Sequence, residues 1–357
     1  MFFIGVDLGT SGLKAGIVDE SGNIISSSYW ETTFTSSLPG RMEQNIDDFV
    51  NNTLQIIGEI LEKANITPSE VGGVAIDGQM GGAIGIDADF NSVTGLDMNL
   101  DLSSEKYNVY MHQHFGDLLA SVTCGSSLNG QKIMWWKEEN RAVYRYIHKF
   151  VTLNGYVAGK LAGLRGDEAF MDYTLLAFSG FDDAEELDWS KELCHQLNID
   201  MEKLPRIVSP WKIVGGIEKN AATACGLKEG TPIFAGAGDQ AVGFLGAGLI
   251  CPGSLIDVSG SSTLLSLCVD GYVPDLKNHA VMYIPSVKKG SYYAFTYING
   301  GGISLKWFID EFCENSKNNT ELKEGDTYDR ITEMAEHVPP GSGGLLFIPY
   351  FGGRQCP

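Results

Sequence analysis

Two turns of one kind constrain this chain more than any other feature. Asp7-Leu8-Gly9-Thr10-Ser11-Gly12 and Asp257-Val258-Ser259-Gly260-Ser261-Ser262 each set a glycine and hydroxyl residues between two apolar, strand-like runs. Phe2–Asp7 and Leu13–Asp19 flank the first turn; Ser254–Ser259 and Thr263–Cys268 flank the second. Each leading strand ends in, or just before, the hydroxyl turn with an aspartate close by. Such a turn offers successive backbone N–H groups and hydroxyls in a concave array that suits polyphosphate. Glycine there removes the Cβ that would hold a ligand off. The same composition also makes a plain β-hairpin with small turn residues. The repetition fits two related lobes, each presenting one turn to a cleft between them. Glycine is abundant throughout, 44 of 357 residues, in keeping with tight turns or with backbone brought close to a ligand.

The remaining pattern alternates strands with helices. Glu20-Ser21-Gly22-Asn23 reads as a hairpin turn leading to Ile24–Tyr29. Asn45 is placed to cap a helix over Ile46–Ala64, in which Ile46, Phe49, Val50, Ile57, Ile60 and Leu61 share one face. Val71–Ile76 reads as a buried strand ending at Asp77-Gly78-Gln79-Met80, and a second strand runs to about Asp87. Residues 124–209 read as mainly helical. Strand character returns at Pro232–Gly236, followed by Gly238-Asp239-Gln240 and a short helix. Beyond Cys268 the pattern predicts a hairpin over Val281–Ile298, a helix from Ile303, another near Tyr328–His337, and a strand at Leu345–Ile348. The chain stops in turn composition, which reads as a second lobe lacking its closing elements. The fold class is α/β, and the length is that of about two domains.

Charge narrows the partners. Lys and Arg number 25 against 45 Asp and Glu, a net −20, which repels phosphate backbones and anionic lipid, so neither nucleic acid nor a membrane is an expected partner. No apolar run reaches the ~18 residues of a membrane span, and the N-terminus has no basic n-region. Seven scattered cysteines without a C-x-x-C pair read as buried free thiols in a reducing compartment, so the expected location is cytoplasmic. His112-Gln113-His114 lacks an evident third ligand and reads as a solvated helix face. Cys194 and His195 are adjacent on a polar helix, a poor arrangement for a thiol nucleophile.

Three stretches can carry chemistry. Beyond the first turn, Lys14 can set an ammonium on an outer phosphate, and Asp7, just ahead of it, can hold hydrated Mg²⁺ through water. No Walker sequence is present. In Gly236-Ala237-Gly238-Asp239-Gln240 the aspartate sits where a strand gives way to a helix. A carboxylate there can take the proton of a hydroxyl attacking phosphorus, or can simply cap the helix. Asp77-Gly78-Gln79-Met80-Gly81-Gly82 either lines a polar ligand or is an ordinary glycine-rich turn.

Taken in order along the chain, these stretches resemble the FGGY family of carbohydrate kinases. The similarity takes in Ile4-Gly5-Val6-Asp7-Leu8-Gly9-Thr10-Ser11-Gly12-Leu13-Lys14, Gly40–Asn45, Gly78-Gln79-Met80, Lys149–Gly159, Gly166–Thr174, Gly238-Asp239-Gln240 with Gly243, Gly246 and Gly248, and Tyr350–Arg354. The resemblance implies two actin-like (ribonuclease H-like) lobes with a cleft between them, an N-terminal sugar-side lobe over 1–227 and a partial nucleotide-side lobe over 228–357. It implies Asp239 as catalytic base and Asp7 as the Mg²⁺-side carboxylate. Thr10, Ser11, Gly12 and Lys14 fall on the first phosphate loop, Gly260 and Ser261 on the second, and Gly302 and Lys306 at a nucleotide-side helix start. Gln79, Met80, Gly81, Asp101, Asp239 and Gln240 fall on the sugar side. The implied reaction is ATP-dependent phosphorylation of a small sugar, a ketose such as xylulose, with ATP and Mg²⁺ as cofactors and a homodimer compatible with it. The alternatives are a glycerol-type polyol kinase and a sugar-binding or regulatory protein without phosphoryl transfer. Gly81 stands where xylulose-type members carry His, Ser103 where an Arg is frequent, and Ser259-Gly260-Ser261-Ser262 where Gly-Thr-Ser-Gly is usual. These departures bear on the identity of the sugar. Members also continue past the point equivalent to Pro357, through a glycine-rich adenosine-binding motif, so the chain reads as truncated.

Overall fold

A computed structural model describes residues 1–33, 35, 42–98, 101–125, 129–260, 263–278, 280–298, 300–313 and 324–348. Ser261, Arg41 and the Tyr350–Arg354 stretch lie outside the described residues.

Six strands form the main sheet, in the order Ile213–Gly216, Pro232–Phe234, Val71–Gly78, Phe2–Leu8, Gly12–Asp19, Ile24–Glu31. Phe2–Leu8, Val71–Gly78 and Pro232–Phe234 run parallel to one another, and the outer strands run antiparallel to their neighbours. Alternation along Phe2–Leu8 sends Ile4, Val6 and Leu8 into the core and leaves Gly5 and Asp7 on the other face. Helix Ile46–Ala64 covers the core face. Asn45 caps it, its side chain accepting from the Asp47 N–H at 3.1 Å, and Phe49, Ile56, Ile57 and Ile60 are buried beneath it. Helices Leu153–Ala162 and Lys219–Cys225 complete that layer. Pro232–Phe234, expected at the start of the second lobe, pairs with Val71–Gly78, so the first sheet extends past residue 227.

A second sheet is wholly antiparallel, in the order Leu255–Ser259, Thr263–Val269, Tyr292–Ile298, Met282–Pro285. One face, with Cys268, Tyr293 and Phe295, packs on Phe244 and Leu175. Helix Gly301–Phe312 follows, and Glu324–Glu336 is a further helix.

Two expectations need correction. Residues 124–209 are not mainly helical: the short strands Lys149–Val151, Phe170–Asp172 and Arg206–Val208 interrupt the helices, the first paired with Gly82–Ile86 and the other two with each other. Leu345–Ile348 is not a strand. Its apolar residues are 79%, 87%, 57% and 70% exposed and have no ladder to join among the described residues.

Candidate active site

The parallel strands decide where chemistry can sit. Their C-terminal ends point the same way, and open α/β sheets bind ligands beyond those ends. Asp7 ends one strand and Asp77 the next, and the two are register partners. Gly78 bridges to Gly238, which brings Asp239 beside them. Lys14 is the antiparallel partner of Asp7, and its Nζ lies 2.9 Å from Asp7 Oδ2. A cavity of about 280 Å³ is lined by Asp7, Lys14, Asp77, Gly236 and Val242. A larger one, about 430 Å³, lies away from this set among Arg145, His148, Lys149 and Lys203. There the Lys149 and Lys203 ammoniums are already bonded to backbone carbonyls, so the smaller cavity is the better candidate.

Two glycines make the junction at Asp239 possible. Gly236 holds φ +71°, and a Cβ on it would lie 1.7 Å from the Ile76 carbonyl oxygen. A Cβ on Gly238 would lie 1.9 Å from Met80 Sδ. Gly238 is the N-cap of helix Asp239–Gly246 and Asp239 its first residue, so the aspartate does not serve as the cap. Its carboxylate accepts from the Gln240 N–H at 2.6 Å and sits at the positive end of the helix dipole.

The electrostatics are those of a crowded acidic site. Burial, then the charges of Asp7 and Asp239, push the Asp77 carboxyl well above the usual range. Burial raises Asp239 to about 6; the Gln240 N–H and Lys14 oppose the rise and Asp7 adds to it. The bond to Asp7 raises Lys14, against the effect of its own partial burial. Three carboxylates thus face one ammonium, and Asp7 Oδ1 and Asp77 Oδ1 are buried with no hydrogen-bond partner among the described residues. Oxygen donors with spare lone pairs fit a hard cation such as Mg²⁺. Among the described residues no group of three or more His, Cys, Asp or Glu side chains forms a ready-made metal cage.

The other expected residues fall into two groups. At the first turn, the Gly9 N–H closes on the Gly12 carbonyl at 3.0 Å. The Thr10 hydroxyl donates to Gln79 Oε1 at 3.1 Å, Gln79 Nε2 donates to Gln44 Oε1 at 3.0 Å, and Gln44 Nε2 donates to the Thr10 carbonyl at 3.0 Å. This closed ring joins the first turn to the Gly78–Gly82 loop. Ser11 is exposed at the tip, and its carbonyl accepts from the Tyr29 hydroxyl. Met80 is buried against Gly238, and Gly81 is buried beside it. Asp101 is 4% exposed and accepts from the Met42 and Ser103 N–H groups and from the Ser103 hydroxyl. Gln240 is exposed. In the second sheet, the Gly260 carbonyl accepts from the Gly302 N–H at 2.8 Å, which ties that turn to the start of helix Gly301–Phe312, where Lys306 is exposed. Among the described residues no hydrogen bond or ion pair connects this second group to the carboxylates.

Sequence reasoning did not assign roles to Asp77 or Gln44. Asp77 ends a strand as Asp7 does, and that parallel was the available signal. Elsewhere, Cys194 is buried and its thiol is pushed up to about 12 by burial, which rules it out as a nucleophile. Cys251 is exposed, unlike the buried Cys124, Cys194, Cys225 and Cys268.

A sheet of this order, with acidic residues at its parallel strand ends and a glycine-hydroxyl turn beside them, defines the actin-like ATPase fold. The chain belongs to the FGGY family of carbohydrate kinases: the description of that family's N-terminal domain matches residues 2–246. Among its relatives is the xylulose kinase of Bacillus subtilis (strain 168), 26% identical over 359 residues, which takes in all of this chain and 69% of that protein. The gluconokinase of Bacillus licheniformis is 25% identical, again over all of this chain and 69% of the relative. The crystal structure of xylulose kinase from Rhodospirillum rubrum has the same fold, with a TM-score of 0.88 at 20% identity, covering 99% of this chain and 70% of that one. The chain therefore spans about two thirds of the length of these relatives. Family members phosphorylate carbohydrates with ATP. Among the described residues no helix is long and apolar enough to cross a membrane.

Proposed function

We propose that this protein transfers the γ-phosphoryl group of ATP to a hydroxyl of a small sugar, a ketose such as xylulose, with Asp239 as general base. The observation that carries this reading is the placement of Asp239, first residue of a helix, beside Asp7 and Asp77 and titrating at about 6. A base of that pKa is ionised at neutral pH yet basic enough to take a proton from an attacking hydroxyl. The backbone N–H groups of Thr10–Gly12, with Lys14, hold the phosphate charge on one side of the reaction. Asp7 is the residue that would hold a Mg²⁺ ion, which would add further charge neutralisation. Gln240, exposed, faces the sugar, while Gln79 and Asp101, whose polar atoms have protein partners, and the buried Gly81 shape that side from behind. Gly260, Ser261, Gly302 and Lys306 serve the nucleotide.

The division between lobes is proposed to follow helix Asp239–Gly246 rather than residue 227, because Pro232–Phe234 belongs to the first sheet. A cytoplasmic location follows from a reaction that needs cellular ATP. The test is a panel of ketoses, aldonates such as gluconate, and glycerol, with coupled detection of ADP. Turnover confined to a ketose supports the reading. Turnover of gluconate or glycerol replaces the substrate, and ligand binding without ADP release replaces the activity.

A further inference from the structure

Behind Asp239 lies a chain of buried, hydrogen-bonded polar side chains. Asp172 and Thr174 are 1% and 0% exposed. The Thr174 hydroxyl donates to Asp172 Oδ1 and accepts from the Gly238 N–H at 2.9 Å. Asp172 Oδ1 also accepts from the Thr174 N–H at 2.9 Å, and its other oxygen accepts from Asn154 Nδ2 at 3.4 Å. Asn154 Nδ2 reaches the Ala235 carbonyl at 3.4 Å, and the Thr152 hydroxyl donates to Asn154 Oδ1 at 2.7 Å.

A threonine hydroxyl has one proton. With that proton committed to a carboxylate, the lone pairs must face the Gly238 N–H. Gly238 is an N-cap, so its N–H lies outside the helix ladder and depends on this acceptor. An ionised acceptor behind the hydroxyl polarises it and shortens the chain of bonds. Burial raises Asp172 to about 6, with its N–H and O–H donors opposing the rise, so it is a carboxylate at neutral pH. The residue after Gly238 is Asp239. Met80 closes the opposite side of Gly238, and the bridge to Gly78 fixes it to the sheet.

We propose that Asp172 and Thr174 are positioning residues for phosphoryl transfer, holding the Gly238 N–H and through it the place and direction of Asp239. This rests on Asp239 being the base. A displacement of about 1 Å at a reacting group can lower turnover on the order of a hundredfold, so the relay acts on kcat and not on sugar binding.

Thr174→Val and Thr174→Ala both remove the hydroxyl, one at matching size and one with room to spare; Thr174→Ser keeps it. The expected result is kcat lowered at least ~30-fold in the Val and Ala variants with the sugar KM within about threefold, and restored to within about threefold in Ser. Amide hydrogen exchange at Gly238 should quicken at least ~10-fold in Val and Ala and not in Ser, while the amides of Phe2–Leu8 and Val71–Gly78 stay protected. A kcat unchanged in Val and Ala, or a loss carried by KM, overturns the proposal. So does loosening of the whole sheet together with Gly238. A parent protein that turns over no sugar overturns the kinase reading alone; exchange at Gly238 then decides the relay, and unchanged exchange in Val and Ala overturns it.

Discussion

Asp77 holds its proton more tightly than an ordinary carboxyl because it is buried and flanked by Asp7 and Asp239. The sign of the consequence is fixed. A carboxyl whose pKa is raised on folding binds more protons in the native state than in the unfolded one. Stability then falls as pH rises from the unfolded value of about 3.9 toward the raised folded value, and the penalty is fully present above it. Asp77→Asn should therefore raise the melting temperature by a few degrees at pH 8, and the gain should vanish as pH is lowered toward 4. Calorimetry across that range checks it, and a variant less stable than the parent at pH 8 would show that Asp77 is held by a partner. Asp7→Ala should weaken Mg²⁺-dependent nucleotide binding at least ~10-fold while sparing sugar affinity, as separate titrations would record. Asp7, Asp239 and Lys14 were legible in the sequence because each adjoins a glycine-rich turn at a strand end. Asp77 was seen only as part of a loop, since its value comes from parallel register with Asp7, a contact between residues 70 positions apart.

At the scale of elements, the junction from Pro232–Phe234 into helix Asp239–Gly246 rests on two glycines with different neighbours. At Gly236 an added Cβ meets backbone, the Ile76 carbonyl, and the positive φ adds strain. At Gly238 it meets the end of Met80, a flexible side chain. Gly236→Ala should cost about 3 kcal/mol or more, and Gly238→Ala about 1–3 kcal/mol. Met80→Ala should recover part of the second loss and none of the first, which denaturant unfolding of the double variants measures. Helix Ile46–Ala64 and the first hairpin were legible because period and capping are local, as Asn45 shows. Lys149–Val151 and Phe170–Asp172 were not, because strands of three residues are defined by partners such as Gly82–Ile86 and Arg206–Val208. The apolar run Leu345–Ile348 misled for the converse reason: it has strand composition with no neighbouring strand among the described residues.

Across the whole molecule each sheet has one packed face. The first lays its packed face under helices, over a core that reaches from Ile4 to Ala235, and leaves Phe3 and Tyr29 exposed on the other. The second buries Cys268, Tyr293 and Phe295, but its other face shows Leu255, Leu265, Leu267 and Ile298 at 59%, 42%, 36% and 39% exposure. Open apolar surface of this kind favours association and easier local opening. This chain should sediment as more than a monomer at micromolar concentration, and limited proteolysis should cut after residue 250 before it cuts the first sheet. A monomer whose last hundred residues resist protease as long as the first sheet does would contradict this.

The role proposed for Asp239 is to take the proton from the sugar. Asp239→Asn probes that role, measured for sugar binding by calorimetry and for transfer by ADP release with the sugar identified by the panel. Sugar affinity should stay within about tenfold while turnover drops by ~10²-fold or more. In the parent, kcat/KM should rise with pH up to about 6 and then level, following the ionisation of Asp239. An asparagine variant with near-parent turnover would contradict the claim.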